Sequence, residues 1–289
     1  MRKVRSLAKI NLGLEIRGKR HDGYHELRTI FQTIDFYDIL EFSSLASNKI
    51  VIAGDDQSIA WDETNLIYKA ALLLKEKGRV KEGIQIRVHK RIPPGKGLGG
   101  GSSNAAITLA TLNQIWGLQL KRNELKGLAR KLGADVPYFL EGGLCLGVGR
   151  GDTITPLPEL KPRYCLLVLP PLSIPTAFIY EHLPSSLTSK PKASKINKFL
   201  ENRNIGSLSN DLEKVIFSHY SFLRSIKRLI KSQGCELALV SGSGSAVFGL
   251  FEDRNKAEVA YQKAKRYYQI YLVETITRDR YWPYINYGV

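Results

Sequence analysis

Cysteine is scarce in this chain. Cys145, Cys165 and Cys235 are the three in 289 residues, they lie far apart, and none belongs to a Cys-x-x-Cys pair. An odd number at wide spacing argues against a disulfide framework and a cysteine zinc site, and predicts buried, reduced thiols. Long apolar runs are also missing. None approaches the roughly 20 residues that a bilayer-spanning helix needs, so no membrane partner is expected. The basic start, Met1-Arg2-Lys3-Val4-Arg5, leads into a short mixed stretch. With no long apolar segment there, no signal peptide is expected, and the expected location is the cytoplasm.

Acidic residues are the third shortage: 27 Asp and Glu face 43 Lys and Arg, a net charge of +16. Such an excess suits nucleic acid, a membrane surface or an anionic small molecule. It is shared about equally between residues 1–155 and 156–289 and forms no basic arm. The densest run, Lys190 to Lys198, also holds Pro191, Ala193 and Ser194, and reads as a solvated surface segment. No RNA-binding motif and no internal repeat is present, so no specific nucleic-acid partner is expected. The charge supports an anionic ligand without identifying it, and no signal of oligomeric state accompanies it.

What remains is ordinary globular material. With 43% apolar and 24% charged residues, the chain can bury a large core and suits two domains better than one. Three prolines within residues 156–162 mark a change of texture, which places the expected boundary between 1–157 and 158–289. Strands are expected over 4–16, 27–42, 84–88, 142–148, 164–169, 237–240, 246–251 and 269–275. Helices are expected over 65–77, from Ser102, from a cap at Asn123, and over 222–230 and 254–266. Residues 184–206 read as a polar excursion.

The strongest signal is Pro93-Pro94-Gly95-Lys96-Gly97-Leu98-Gly99-Gly100-Gly101-Ser102-Ser103-Asn104. A strand, a glycine loop and then a helix is an arrangement for binding phosphate. Glycines let successive N–H groups turn inward, and the helix N-terminus adds unpaired donors and partial positive charge. Ser102 and Ser103 add hydroxyls, either of which is a candidate to reach Mg²⁺. The loop lacks the Gly-Lys-Ser/Thr ending of a Walker A motif and is not that of a P-loop NTPase.

At this loop the sequence resembles the GHMP kinases. Gly97 to Ala106 resembles their second motif, in the form typical of enzymes acting on diphosphocytidyl-methylerythritol. Ala8-Lys9-Ile10-Asn11-Leu12 with Asp22-Gly23-Tyr24-His25-Glu26-Leu27 resembles the first motif. Ser241-Gly242-Ser243-Gly244-Ser245 resembles the third. Gly133-Ala134-Asp135-Val136-Pro137 matches the segment of the catalytic aspartate. The resemblance spans nearly the whole chain in order. It implies a two-domain α+β fold, with an N-terminal domain like ribosomal protein S5 domain 2 and a ferredoxin-like C-terminal domain. The implied activity is ATP- and Mg²⁺-dependent phosphorylation of the 2-hydroxyl of 4-diphosphocytidyl-2-C-methyl-D-erythritol, a step in non-mevalonate isoprenoid precursor synthesis. Another GHMP small-molecule kinase, or a non-catalytic nucleotide- or RNA-binding protein on this fold, stands as the alternative.

The resemblance also implies roles. Asp135 would be the base and Lys9 its cationic partner. This fits the chemistry, because a carboxylate can take an alcohol's proton while a cation steadies the developing charge. Residues 93–103 would hold ATP, with Asn65, Leu66 and Lys90 on its adenine side. His25 would bond the cytosine, with Tyr24 lining that pocket and Asn11 contacting the erythritol. Phe31 and Tyr180 would sandwich the base, and Thr176, Gly242, Ser243 and Gly244 would complete the acceptor site. No metal-ligand set can be named. Lys96 departs from the family pattern, which has a small residue there. Its side chain is expected in solvent, and its backbone in a conformation open to any residue.

Overall fold

The computed structural model describes residues 1–184 and 193–286. Lys190 and Lys192 of the basic run lie outside the described residues, whereas Lys195 and Lys198 are exposed. The first half contains β1 (Arg2–Lys19), β2 (His25–Leu45), β3 (Ile50–Gly54), α1 (Leu66–Gly78), β4 (Gly83–His89), α2 (Gly100–Ile115) and α3 (Arg122–Leu132). A 3-10 turn (Val136–Leu140) and the hairpin of β5 (Leu144–Gly149) and β6 (Thr153–Pro156) follow. The second half contains β7 (Tyr164–Leu169), α4 (Thr176–Glu181), α5 (Lys195–Asn202), α6 (Glu213–His219), α7 (Ser221–Lys231), β8 (Leu237–Val240), β9 (Val247–Phe251), α8 (Arg254–Ala264), β10 (Gln269–Ile276) and α9 (Arg278–Asn286).

The long strand β2 organises this α+β architecture. One edge pairs antiparallel with β1. The other edge takes β5 at Leu27–Gln32, β10 at Thr33–Ile34 and β4 at Ile39–Leu45. β3 lies parallel to β4, the geometry that requires a crossover, and α1 supplies it. From β10 the sheet continues through β7 and β9 to β8. A single strand therefore stitches the two halves together. The link is reinforced by α9, whose Tyr281 is fully buried in the first half's core and donates to the Phe139 carbonyl at 2.7 Å.

β1 carries the functional consequence of its own alternation. A register shift falls between Leu7 and Ala8, the kind of irregularity that re-aims side chains. Beyond it, Ala8, Ile10 and Leu12 enter one apolar core. Lys9 and Asn11, on the opposite face, are buried against the cleft instead. The strand needs no polar exterior because both its faces are covered.

Several expected boundaries shift for identifiable reasons. α2 starts at Gly100, because Gly99, in the left-handed region at φ 71°, is its cap and Ser102 is not. α3 starts at Arg122, one residue ahead of the expected Asn123 cap, because the Glu124 carboxylate accepts from the Lys121 N–H at 3.0 Å. The polar excursion contains α5, whose Ile196 and Phe199 are buried and whose N-terminus is held by Ser194 and Glu15. The sequence reading also passed over β3, β6, α4, α6 and α9.

Candidate active site

A cleft of about 1460 Å³ runs between β1, the glycine loop, the end of α3, α4 and the Ser241–Ser245 loop. Sites for one small ligand are typically about 300–1,000 Å³, so this one has room for two. At its centre Lys9 Nζ lies 3.2 Å from Asp135 Oδ2 and donates to Asn11 Oδ1 at 2.7 Å. The Asn11 amide donates in turn to Thr29 Oγ1 at 2.8 Å, and that hydroxyl donates to the Gly13 carbonyl at 2.8 Å. The Lys9 stem is sealed, whereas the Asp135 side chain is 35% exposed, so the carboxylate faces the open cleft. Asp135 precedes the Val136–Leu140 turn, yet its side chain caps nothing there. The carboxylate is therefore available to Lys9 and to a ligand.

On one side of this pair the glycine loop closes by backbone geometry. Gly95, Gly97 and Gly99 have φ of 67°, 73° and 71°, in the left-handed region. A Cβ on Gly97 would sit 2.0 Å from the Ser241 carbonyl oxygen, so glycine is required there by both strain and space. Lys96, between two such glycines, has no positive φ, as expected. The Gly100, Gly101 and Ser102 amides at the start of α2 have no partner within the helix and lie along the cleft. The loop is pinned to β1 by Lys9 N–H donating to the Leu98 carbonyl at 3.0 Å.

Four expected ligand residues on this side also hold parts of the fold together, and of these Asn65, Lys90 and Lys96 still border the cleft. Ser103 is fully buried, donates to the Leu7 carbonyl at 2.7 Å and accepts from Ser6 Oγ at 2.7 Å. It fastens α2 to β1, and of the two serines only Ser102 borders the cleft. Lys90 is ion-paired with the fully buried Asp38. Contrary to expectation, the Lys96 side chain does not run out into solvent, although the residue borders the cleft. Its ammonium is bonded to the carbonyls of Pro170, at 2.6 Å, and Leu172, and burial lowers its pKa. Asn65 caps α1, with Oδ1 accepting from the Ile67 N–H at 3.0 Å. Asn65, Leu66, Pro93, Pro94 and Leu98 all border the cleft. So do Trp61, Arg130 and Lys131, which the sequence reading missed. Trp61 packs against Gly54 and donates to the Asp56 carbonyl at 3.0 Å. A lone tryptophan just before a helix cap was the available signal.

On the other side, side chains do the work. The His25 and Tyr180 rings stack with centroids 5.5 Å apart, and Tyr24 is exposed with the Arg150 guanidinium 4.9 Å above its ring. Burial, then the Lys19 charge, hold the His25 pKa below its usual value, so the imidazole is neutral at pH 7. Burial, with the Asp135 charge adding to it, pushes the Tyr180 phenol up and keeps it protonated. Thr176 and Ser243 exchange a hydroxyl hydrogen bond at 2.8 Å across the rim. Phe31 borders the cleft, as Tyr180 does. It is buried against Tyr138 at 4.8 Å, with the Lys9 ammonium 5.5 Å from its ring centroid. Gly242 and Ser243 border the cleft, whereas Gly244 faces Val240 and Ile174 behind it.

Glycine loop, helix N-terminus and the lysine–aspartate pair define the class, and comparison with known proteins agrees. The family model for the N-terminal domain of GHMP kinases matches residues 65–143, and that for their C-terminal domain matches residues 192–270. The homoserine kinase of Cytophaga hutchinsonii, 19% identical, shares the fold with a TM-score of 0.75 over 96% of this chain and 95% of its own. Within that class the similarity sharpens. A 4-diphosphocytidyl-2-C-methyl-D-erythritol kinase of Chlorobium phaeobacteroides is 41% identical over 94% of this chain and 96% of its own. One of Clostridium botulinum is 38% identical over 94% and 99%. A crystal structure of a 4-(cytidine 5'-diphospho)-2C-methyl-D-erythritol kinase superposes with a TM-score of 0.81, at 33% identity, covering 94% of this chain and 98% of that one. The chain belongs to the GHMP kinases and, among them, to the 4-diphosphocytidyl-2-C-methyl-D-erythritol kinase family.

Proposed function

We propose that this enzyme transfers the γ-phosphoryl group of ATP to the 2-hydroxyl of 4-diphosphocytidyl-2-C-methyl-D-erythritol. The observation that carries the reading is the Lys9–Asp135 pair, set between an amide-lined phosphate loop and a pocket of neutral hydrogen-bonding rings. ATP lies along the loop, with its phosphates toward the α2 amides and Ser102 and its base toward Asn65, Leu66 and Trp61. The neutral His25 ring offers one donor and one acceptor, which suits the polar edge of cytosine. Tyr24 and Tyr180 supply flat surfaces, and Asn11, Thr176, Gly242 and Ser243 border the sugar and diphosphate.

In the reaction Asp135 accepts the proton of the 2-hydroxyl as its oxygen bonds to the γ-phosphorus. The bond from the γ-phosphorus to the β–γ bridging oxygen breaks, and ADP leaves. Lys9 holds the carboxylate in place and stabilises the charge on the attacking oxygen, while the loop amides steady the phosphoryl oxygens. Mg²⁺ fits this cleft through the nucleotide. Among the described residues no three His, Cys, Asp or Glu side chains gather to hold a metal ion, so phosphate oxygens and water would carry it, with the Ser102 hydroxyl as the protein's donor. When bound, it neutralises charge on the β- and γ-phosphates. The reading also divides the chain near residue 157, in the stretch between β6 and β7, with β10 and α9 returning to the first half.

The test is ADP release with four acceptors: the cytidine diphosphate-linked methylerythritol, free methylerythritol, homoserine and mevalonate. Turnover confined to the first is expected. Preference for any of the others would overturn the reading.

A further inference from the structure

The phosphate loop and the acceptor side are tied together around one charged side chain. Lys96 is 9% exposed. Its ammonium reaches the carbonyls of Pro170 and Leu172, in the turn between β7 and α4. The Leu172 carbonyl also accepts from Ser245 Oγ, and the Lys96 carbonyl accepts from the Ala246 N–H at 3.1 Å. Beside it the Ile174 N–H donates to the Gly95 carbonyl at 3.3 Å, and a Cβ on Gly95 would meet Ser173 Oγ at 1.8 Å. Three segments thus interlock around Lys96: the glycine loop, the turn into α4, and the loop that carries Gly242 and Ser243. α4 begins two residues after Ile174 and carries Thr176 and Tyr180 on the acceptor side.

The energetics make Lys96 the central element of this interlock. A buried ammonium that is parted from its acceptors loses charge-assisted hydrogen bonds. Among the described residues no carboxylate is within ion-pairing distance of it. The two carbonyls are therefore what holds it, and the turn cannot leave the loop without stranding the charge. A change in either segment is felt by the other through a rigid connection of a few atoms.

We infer that Lys96 is a positioning residue that locks the phosphate loop to the turn leading into α4, so that ATP and the cytidine-bearing acceptor bind cooperatively. The inference rests on the function proposed above. A non-hydrolysable ATP analogue and cytidine diphosphate are the probes. By calorimetry, cytidine diphosphate binds the native enzyme at least about fivefold more tightly when the analogue is present, within the usual range of coupling between sites. In Lys96→Met, which keeps the apolar stem and removes the charge, that factor falls to within about twofold of unity, and KM rises for both substrates. Lys96→Arg, which retains a donor to both carbonyls, restores at least part of the coupling. A packing role alone predicts the reverse order, with Met tolerated and Arg not.

Native-like coupling in Lys96→Met overturns the inference, and so does independent binding of the two probes to the native enzyme. The function proposed above survives that second result. It fails, together with this inference, only where the native enzyme binds neither probe. Should Lys96→Met not fold, amide hydrogen exchange on the native enzyme decides. Slower exchange across residues 172–181 on adding the ATP analogue alone supports the lock, and unchanged exchange overturns it.

Discussion

The two sides of the cleft are built from different materials. The ATP side is backbone: left-handed glycines, the open end of α2, and loops packed so closely that a methyl group has no room at Gly97. The acceptor side is side chains: a half-buried imidazole, an exposed tyrosine under an arginine, and hydroxyls bonded across a rim. In the function proposed above, the backbone amides recognise phosphate, and the left-handed glycines that aim them tolerate no substitution that alters φ. In the same proposal, the side chains recognise what differs between acceptors. The homoserine kinase of Cytophaga hutchinsonii, at 19% identity, shares the fold.

The Lys9–Asp135 pair serves both sides, so breaking it should have the largest effect. Asp135→Asn is expected to lower kcat by roughly 10²–10⁴-fold, the usual scale of a general base, with ATP-analogue affinity kept. A loss below about fivefold would remove Asp135 from the role. Next comes recognition on the acceptor side. Replacing cytosine by uracil in the acceptor exchanges the exocyclic donor for an acceptor and leaves a polar group in the pocket unpaired. The kcat/KM should drop at least about 10²-fold, and His25→Ala should erase most of that discrimination. Equal rates with native enzyme would sink the assignment of His25.

On the ATP side, Gly97→Ala forces both a positive φ and a contact with the Ser241 oxygen. It should raise KM for ATP by about tenfold or more, well beyond its effect on the acceptor, since backbone strain alone costs about 1–3 kcal/mol. An unchanged KM would show that the loop relaxes freely. A subtler separation is by pH. The His25 pKa is lowered from 6.5, so the ring is neutral above that value and gains its proton only below it. Protonation removes the ring's acceptor. KM for the acceptor is therefore expected to be level from pH 8 to 6.5 and to climb by a few-fold below it, while KM for ATP does not follow. Parallel profiles would contradict the division of labour. The smallest effect expected is that of Ser103→Ala, about 0.5–1.5 kcal/mol of stability by chemical unfolding, with KM for ATP unmoved, whereas Ser102→Ala should raise it.

Much of this was legible beforehand. The strand over residues 4–16, the glycine loop and the helix after it follow from local chemistry, whereas the order of the motifs and the parts of Lys9, Asn11 and Asp135 follow from the family resemblance. The elements passed over are short or carry weak periodicity: β3 and β6 are edge pieces of the sheet, and α4 has only six residues. Their existence depends on a neighbour to pair with or pack against. What the sequence left open at the site has the same origin. Phe31 is an aromatic residue on a strand facing the cleft, and the sequence has no means of saying that Tyr138 takes its face. Ser103 belongs to the Ser-Ser pair that opens the helix, but the 100° step between successive residues turns one hydroxyl to the cleft and the other to β1.

Lys96 marks where local information ends. That glycine must occupy positions 95, 97 and 99, and that residue 96 can be something else, is a property of a few consecutive dihedral angles. The sequence by itself determined it. Where the Lys96 ammonium goes was decided only by the tertiary structure, because its partners are the carbonyls of residues 170 and 172. Every residue carries such a carbonyl. No pattern of side chains can announce which of them a distant lysine will find, and only the packing of the second half against the loop brings those two within reach.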